Sequence, residues 1–202
     1  MITLVIMLAA AQGTRAPVVD GRIDAVEWAG ATRQAMVNGG ELYLLRQADY
    51  LYVGIRGPHL GLASLCIVSA GRVRILHASA AVGEALYEYD GAAWVRRDDF
   101  TWALRDSPGG AGPGAADRTA FLEKTGWLAN ASASGSPERE FQIRIADVDA
   151  IAVTFLSTGD PLSVSYWPDT TDDDCRDVRV PRGYLPVTAR FRPERWYTTE
   201  RK

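Results

Sequence analysis

The stretch "VVDGRIDAVEWAGA" (Val18–Ala31) gathers Asp20, Asp24 and Glu27 around one tryptophan, Trp28. Carboxylates beside an aromatic ring suit a sugar site or a metal site, and they equally suit a capped turn. The spacing favours the turn. With Asp24 as N-cap, Glu27 is the third helical residue, a variant of the capping box. The Asp24 carboxylate then accepts first-turn N–H groups, and Glu27 reaches back to the N–H of Asp24. Ile23 before the cap and Trp28 at the fourth helical position have the spacing of a hydrophobic staple. Asp20-Gly21 supplies the tight turn leading in. Such a cap contributes about 0.5–2 kcal/mol, and burial of the indole adds to it. The stretch predicts a buried Trp28 and an Asp24 bonded to backbone N–H groups. A ligand, if bound, binds elsewhere.

Outward from this turn the chain reads as short strands. "ELYLLRQ" (Glu41–Gln47) and "YLYVGIRG" (Tyr50–Gly57) are separated by Ala48-Asp49 and form a predicted hairpin. Leu51, Val53 and Ile55 fall on one face of the second strand, with Tyr50, Tyr52 and Arg56 on the other. "LCIVSAG" and "RVRILHAS" are split by Ala70-Gly71. In "ALYEYDGAAWVRR", Asp90-Gly91 is the strongest two-residue hairpin signal, since a type I′ turn needs positive φ at both central positions. "FTWALRD", "EFQIRI", "IAVTFLST" and "LSVSYWP" are further strands, and Phe141, Ile143 and Ile145 alternate with Gln142 and Arg144. Ser107–Asp117 and "NASASGSPE" are Gly-, Pro- and Ser-rich loops. "RTAFLEKTGW" (Arg118–Trp127) is a short predicted helix with Phe121, Leu122 and Thr125 roughly on one side. The tail "RFRPERWYTTERK" is polar and aromatic. Closely spaced strands with few helices predict an all-β fold, an antiparallel sandwich or barrel with one or two short helical turns.

"VVDGRIDAVEWAGA" followed by "ELYLLRQADYLYVGIRG" resembles the N-terminal part of family 9 carbohydrate-binding modules. Members open with a D-G-x-x-D-x-x-E-W type of turn, then a strand pair whose second strand carries the pattern filled here by Leu51, Tyr52 and Val53. "REFQIRIADV" resembles a strand near the end of that module. The likeness is good over Val18–Gly57, weaker over Glu138–Val148 and faint between. It implies an antiparallel β-sandwich of jelly-roll-like topology, usually exported. In sugar-binding members, paired aromatics clamp a terminal sugar while polar side chains bind its hydroxyls. Some relatives bind calcium, and related sandwiches hold a b-type haem through Met, His or Lys.

The 202 residues and net charge of −3 fit one globular domain, read here as residues 17–202. No Lys/Arg run favours nucleic acid. Ile2–Ala11 is apolar but too short to span a bilayer. With residues 1–16 it reads as a signal peptide or N-terminal extension, although no Lys or Arg precedes the run. A start further upstream, or a first buried strand, are the competing readings. Cys66 and Cys175 are the only cysteines. In an exported chain they suit one disulfide closing a long loop, and buried free thiols are the alternative.

Candidate sites follow from side-chain chemistry. A two-residue Asp90-Gly91 loop sets Tyr89 opposite Ala92 and Tyr87 opposite Trp94. Tyr87, Tyr89, Trp94 and Arg96 then share one face, either as a sugar platform or as the packed side of the sandwich. Trp102, Trp127 and Trp167 are further stacking candidates, and Trp127, between two loops, is the one expected to be accessible. "PDTTDDDCRD" (Pro168–Asp177) offers Asp169, Asp172, Asp173, Asp174 and Asp177. Asp169, Asp172 and Asp174 are its best calcium ligands, but the spacing is not that of an EF-hand, and a solvated acidic loop is the simpler reading. Met36, His59 and His77 are the candidate axial haem ligands, and no C-x-x-C-H permits covalent attachment. His77 alternates with Val73 and Ile75 as a hydrogen-bonded core histidine does. Ser79 beside it makes no triad, because neighbours on one strand lack a separate orienting acid. No pair of carboxylates stands out for glycoside hydrolysis.

The sequence thus predicts a secreted or periplasmic sandwich that is not an enzyme. It would bind a saccharide by stacking and hydrogen bonds, at Tyr87, Tyr89, Trp94, Arg96 and Trp127. The alternatives are an exported interaction sandwich without a sugar site and, third, a b-type haem carrier.

Overall fold

A computed structural model describes residues 15–109, 112–176 and 185–199. Residues 1–14 of the predicted leader and Asp177 lie outside the described residues.

The architecture is organised by one strand that is longer than its sequence signals suggest. After β1 (Thr32–Ala35) and β2 (Glu41–Gln47), β3 runs from Tyr50 to Ser69. The two predicted strands on either side of Gly57 are therefore one. Next come β4 (Arg72–Ala78), β5 (Val82–Tyr89), β6 (Trp94–Arg96) and β7 (Thr101–Ala103). Helix α1 (Ala115–Thr125) precedes β8 (Trp127–Ala129) and β9 (Ser136–Arg144). β10 (Ala150–Ser157), β11 (Ser163–Trp167), β12 (Thr188–Ala189) and β13 (Tyr197–Thr198) complete the order.

The first part of β3 pairs with β2 and β9, and the second part with β4 and β10, all antiparallel. The register is irregular between Arg56 and Gly61. One strand thus serves two half-sheets, and odd-numbered side chains from both enter a shared interior. Leu51, Val53 and Ile55 from one half meet Ala63, Leu65 and Ile67 from the other, with Phe141, Val153 and Phe155. This is an all-β, sandwich-like fold. Gly57 makes close approach possible: a Cβ there would stand 2.0 Å from the Phe155 ring.

Each outer face has its own cover. Cys66, Val73, Ile75 and Tyr87 pack beneath Leu185, Phe191 and Trp196 of the C-terminal segment. A Cys66–Cys175 disulfide, with Cα atoms 6.1 Å apart, ties that cover to β3. The other outer face is covered by the opening stretch, where Ile23 and Trp28 pack on Tyr43 and Tyr52.

The opening stretch folds largely as its spacing predicts. Trp28 is 1% exposed. Asp24 Oδ1 accepts the N–H groups of Val26 (2.8 Å) and Glu27 (3.3 Å). The reciprocal arm of the capping box is not made. The Asp24 N–H donates to the Arg22 carbonyl, and Glu27 Oε2 instead accepts the Val18 N–H at 3.2 Å. The segment makes turns rather than a regular helix. Helix α1 begins three residues before the predicted start and ends two before the predicted end.

Backbone geometry agrees with one hairpin expectation and corrects the other. Ala70 (φ 49°) and Gly71 (φ 75°) both have positive φ and make the tight β3–β4 turn. At the β5–β6 hairpin only Gly91 is positive (φ 102°), and Tyr89 pairs with Trp94 and Tyr87 with Arg96. Asp90 precedes the turn rather than entering it, because its Oδ1 accepts the N–H groups of Ala92 and Ala93, both at 2.9 Å. The turn is therefore centred one residue later than predicted. The facing of the side chains survives, since the pairing slips by an even number of residues.

Candidate functional site

The predicted aromatic ladder exists, but most of it is roofed. Tyr87 is fully buried, and its hydroxyl donates to the Pro186 carbonyl at 2.8 Å. Burial pushes the Tyr87 phenol up to about 12. Trp94 Nε1–H donates to the Phe191 carbonyl (3.1 Å), and Arg96 Nη1 to the Leu185 carbonyl (2.7 Å). β12 pairs with the edge of β6 and so holds the C-terminal segment beside them. Tyr89 alone stays open, 55% exposed, with its ring 5.5 Å from that of Trp94. The ladder is mainly the packed side of the sandwich, because the chain's own C-terminal segment occupies it.

Trp127 overturns the expectation of an accessible indole. It is 0% exposed, its ring lies against Phe121 and Phe141, and its Nε1–H donates to Glu84 Oε2 at 2.7 Å. Its position between loops in sequence becomes β8 in space, paired with β9. Trp102 is half-buried, packed on Phe100 and His77.

The acidic loop is held by cations and N–H groups rather than arranged around a vacant centre. Asp172 Oδ2 pairs with Arg192 (3.1 Å) and Arg195 (2.6 Å). Asp173 accepts N–H groups from Cys175, Arg192 and the Trp196 indole. Asp174 accepts the Arg190 N–H at 2.7 Å, and Asp169 is exposed. Among the described residues no group of three or more His, Cys, Asp or Glu is disposed to hold a metal ion.

The haem candidates are not brought together. Met36 belongs to the shared interior, His59 is exposed, and His77 lies on the outer face of β4. His77 is a buried histidine with a hydrogen bond, as its alternation predicts: Nδ1 lies 2.9 Å from Ser64 Oγ. Burial, with a smaller contribution from the charge of Arg139, pushes its pKa down to about 3.

A groove of about 390 Å³ opens where the two half-sheets part. β10 positions one wall by pairing with both β11 and β13. That brings Trp167 and Tyr197 together, with ring centroids 5.0 Å apart and planes inclined at 45°. Tyr197 is 47% exposed, and Trp167 lies deeper. Thr199 anchors this wall, its hydroxyl donating to the Val148 carbonyl and its N–H to the Asp149 carbonyl at 3.0 Å.

The opposite wall is the sheet edge. In β1, Thr32 pairs with Leu44 and Gln34 with Leu42, so both share the inward-facing side of β2. They nonetheless reach solvent, because the edge overhangs the seam. Leu44, Leu51 and Ile151 supply an apolar floor, and Arg46 joins the rim. No carboxylate, histidine or thiol lines the groove among the described residues. The arrangement can stack one face of a ring while offering hydroxyl and amide groups to its edge.

Sequence reasoning named Trp167 but missed Tyr197, Thr32 and Gln34. β1 carries no hydrophobic alternation to reveal it, and the Trp167–Tyr197 contact depends on the shared partner β10. The chain matches no protein-family model, no curated protein and no solved structure. The likeness to family 9 carbohydrate-binding modules therefore rests on the motif residues themselves. Among the described residues no helix is long and apolar enough to cross a membrane.

Proposed function

We propose that the protein is a non-catalytic saccharide-binding module whose site is the seam groove, not the β5–β6 ladder. The observation that carries this reading is the Trp167–Tyr197 pair lining a groove with Thr32 and Gln34 opposite. Pyranose rings have an apolar C–H face and a polar edge. An aromatic wall over an aliphatic floor suits the face, and Thr and Gln side chains suit the edge. General acid–base or nucleophilic hydrolysis of a sugar needs paired carboxylates, and the groove lining contains none. The motif likeness supports a sugar ligand and a jelly-roll-like topology. The disulfide favours a non-reducing compartment, which supports export to the periplasm or beyond the cell.

Titration of the full chain with a panel of mono- and oligosaccharides, followed by tryptophan fluorescence, tests the reading. A saturable change with at least one sugar is expected. Tyr197→Ala should weaken that binding at least about tenfold, as loss of an aromatic stacking surface does. No response to any sugar, or a Tyr197→Ala variant that binds as tightly as the parent, overturns it.

A further inference from the structure

A second cleft, of about 400 Å³, lies at the end of the sandwich where the β4–β5, β8–β9 and β10–β11 loops meet the irregular segment of β3. Two arginines line it, and no carboxylate does among the described residues. Arg139, on the inward face of β9, is 0% exposed. Its Nη2 donates to the Gly61 carbonyl at 2.8 Å. Its Nε and Nη1 are buried with no hydrogen-bond partner, and no carboxylate pairs with it among the described residues. Arg105 stands exposed at the rim with no partner among the described residues.

A guanidinium withdrawn from water without a counter-charge is costly to keep. Unmade hydrogen bonds add to that cost. Proteins keep such a group where something compensates it. Among the described residues nothing supplies that compensation, although the chain carries a net charge of −3. Burial lowers the Arg139 pKa to about 10, which still leaves the side chain charged at neutral pH. Ser157, which pairs with Gly61 in the β3–β10 ladder, has its buried Oγ without a partner among the described residues. The surrounding loops are pinned. Asp106 accepts the Ala133 N–H at 2.8 Å, and the Ser132 N–H donates to the Ser79 carbonyl at 2.8 Å. These bonds fix the loops around the cleft mouth.

We propose that this cleft is an oxyanion site, in which Arg139 from the floor and Arg105 from the rim hold the carboxylate or phosphate group of a small ligand. Charge-assisted N–H···O⁻ bonds are about twice as strong as neutral ones, and a water-poor floor strengthens them further. The cleft volume exceeds what an inorganic ion fills, so the oxyanion is one end of a larger molecule. The inference does not depend on the seam groove, which lies between other elements and has an uncharged aromatic wall.

Isothermal titration of the full chain at low ionic strength tests it with four probes: inorganic phosphate, glucuronate, glucose 6-phosphate and neutral glucose. Saturable, salt-sensitive binding of at least one anionic probe is expected, with a Kd of about 1 mM or tighter. Glucuronate alone would identify the carboxylate as the group recognised, and the two phosphates alone the phosphate. Arg139→Met, which removes the charge at similar volume, should abolish binding. Arg105→Gln, at an exposed position, should weaken it about tenfold. In the parent chain the Arg139 Nε–H resonance should shift on adding the bound probe, a readout that needs no variant to fold. No saturable binding of any anion, an unmoved Arg139 resonance, or anion binding unchanged in Arg139→Met overturns the proposal. Glucose displacing the anion with equal affinity does so too.

Discussion

The indole Nε1–H of Trp28 donates to Oε1 of Glu140 at 3.1 Å, joining residues 112 apart in the chain. The other oxygen of Glu140 accepts the N–H groups of Asp20 (3.0 Å), Gly21 (2.6 Å) and Arg22 (3.1 Å). One carboxylate on β9 therefore latches both Asp20–Arg22 and Trp28 of the opening stretch over the outer face. Glu140→Ala leaves the Gly21 and Trp28 N–H groups without an acceptor and takes one of two acceptors from Asp20 and Arg22, and stability should fall by roughly 2–5 kcal/mol. Urea unfolding checks this, and an unchanged midpoint would remove the latch.

The same carboxylate gives a pH dependence of defined sign. Burial is the largest influence and raises Glu140 from 4.5 to about 7, against the N–H donors that lower it. The folded-state pKa then exceeds the unfolded one, so folding favours the protonated form. This group's contribution is full below about pH 4.5 and is lost as pH rises through about 7. Unfolding free energy measured from pH 4 to 8 should show that slope in the parent chain relative to Glu140→Gln. Parallel profiles would rule it out.

His77 acts in the opposite direction. Its folded-state pKa is depressed from 6.5 to about 3 by burial, so the unfolded chain binds the proton more readily. Its stabilisation is full above about pH 6.5 and is lost as pH falls toward 3. His77→Gln, which does not titrate, should flatten the acid limb of the stability profile between these values. An acid limb identical to that of the parent chain would contradict the assignment.

The Cys66–Cys175 bridge closes a separation of 109 residues. Cross-linking a loop of that length restricts the unfolded chain by about 4–5 kcal/mol on the chain-entropy account. Reduction, or the paired change to Ser, should lower the thermal midpoint markedly and loosen the C-terminal cover first. Hydrogen exchange at residues 185–199 with and without reductant reads that local loss, and equal protection in both states would refute it.

Gly57→Ala should destabilise by roughly 1–3 kcal/mol, the usual range for overpacking, because its Cβ would stand 2.0 Å from the Phe155 ring. Phe155→Leu should cost less in the Gly57→Ala background than in the parent. Additive effects in a double-mutant cycle would mean the two residues do not meet.

The turn at Val18–Ala31 was legible because its determinants are local. An N-cap, an acceptor three residues on and a staple pair need no distant partner, so Asp24 and Trp28 behave as their spacing requires. Only the return arm from Glu27 failed, since the Asp24 N–H already had the Arg22 carbonyl. The β5–β6 facing also survived a misplaced turn, because side-chain direction has period two and the pairing slipped by an even number.

The site was not legible. Trp127 sits between loop-like segments in sequence, yet Glu84 and Phe141 enclose it from other strands. Tyr87 and Trp94 look like a platform until the distant Pro186 and Phe191 close over them.

The sequence by itself determined the class of fold, the strand faces and the buried, capped turn, because periodicity and capping act over a few residues. Only the tertiary structure decided which surfaces remain open. It roofed one aromatic face with the C-terminal segment, joined Trp167 to Tyr197 through β10, and buried Arg139 beside a cleft with two of its nitrogens lacking a partner among the described residues. Whether an aromatic ring stacks on a ligand or fills a core depends on what chain returns over it, and that is set by pairings between residues far apart in sequence.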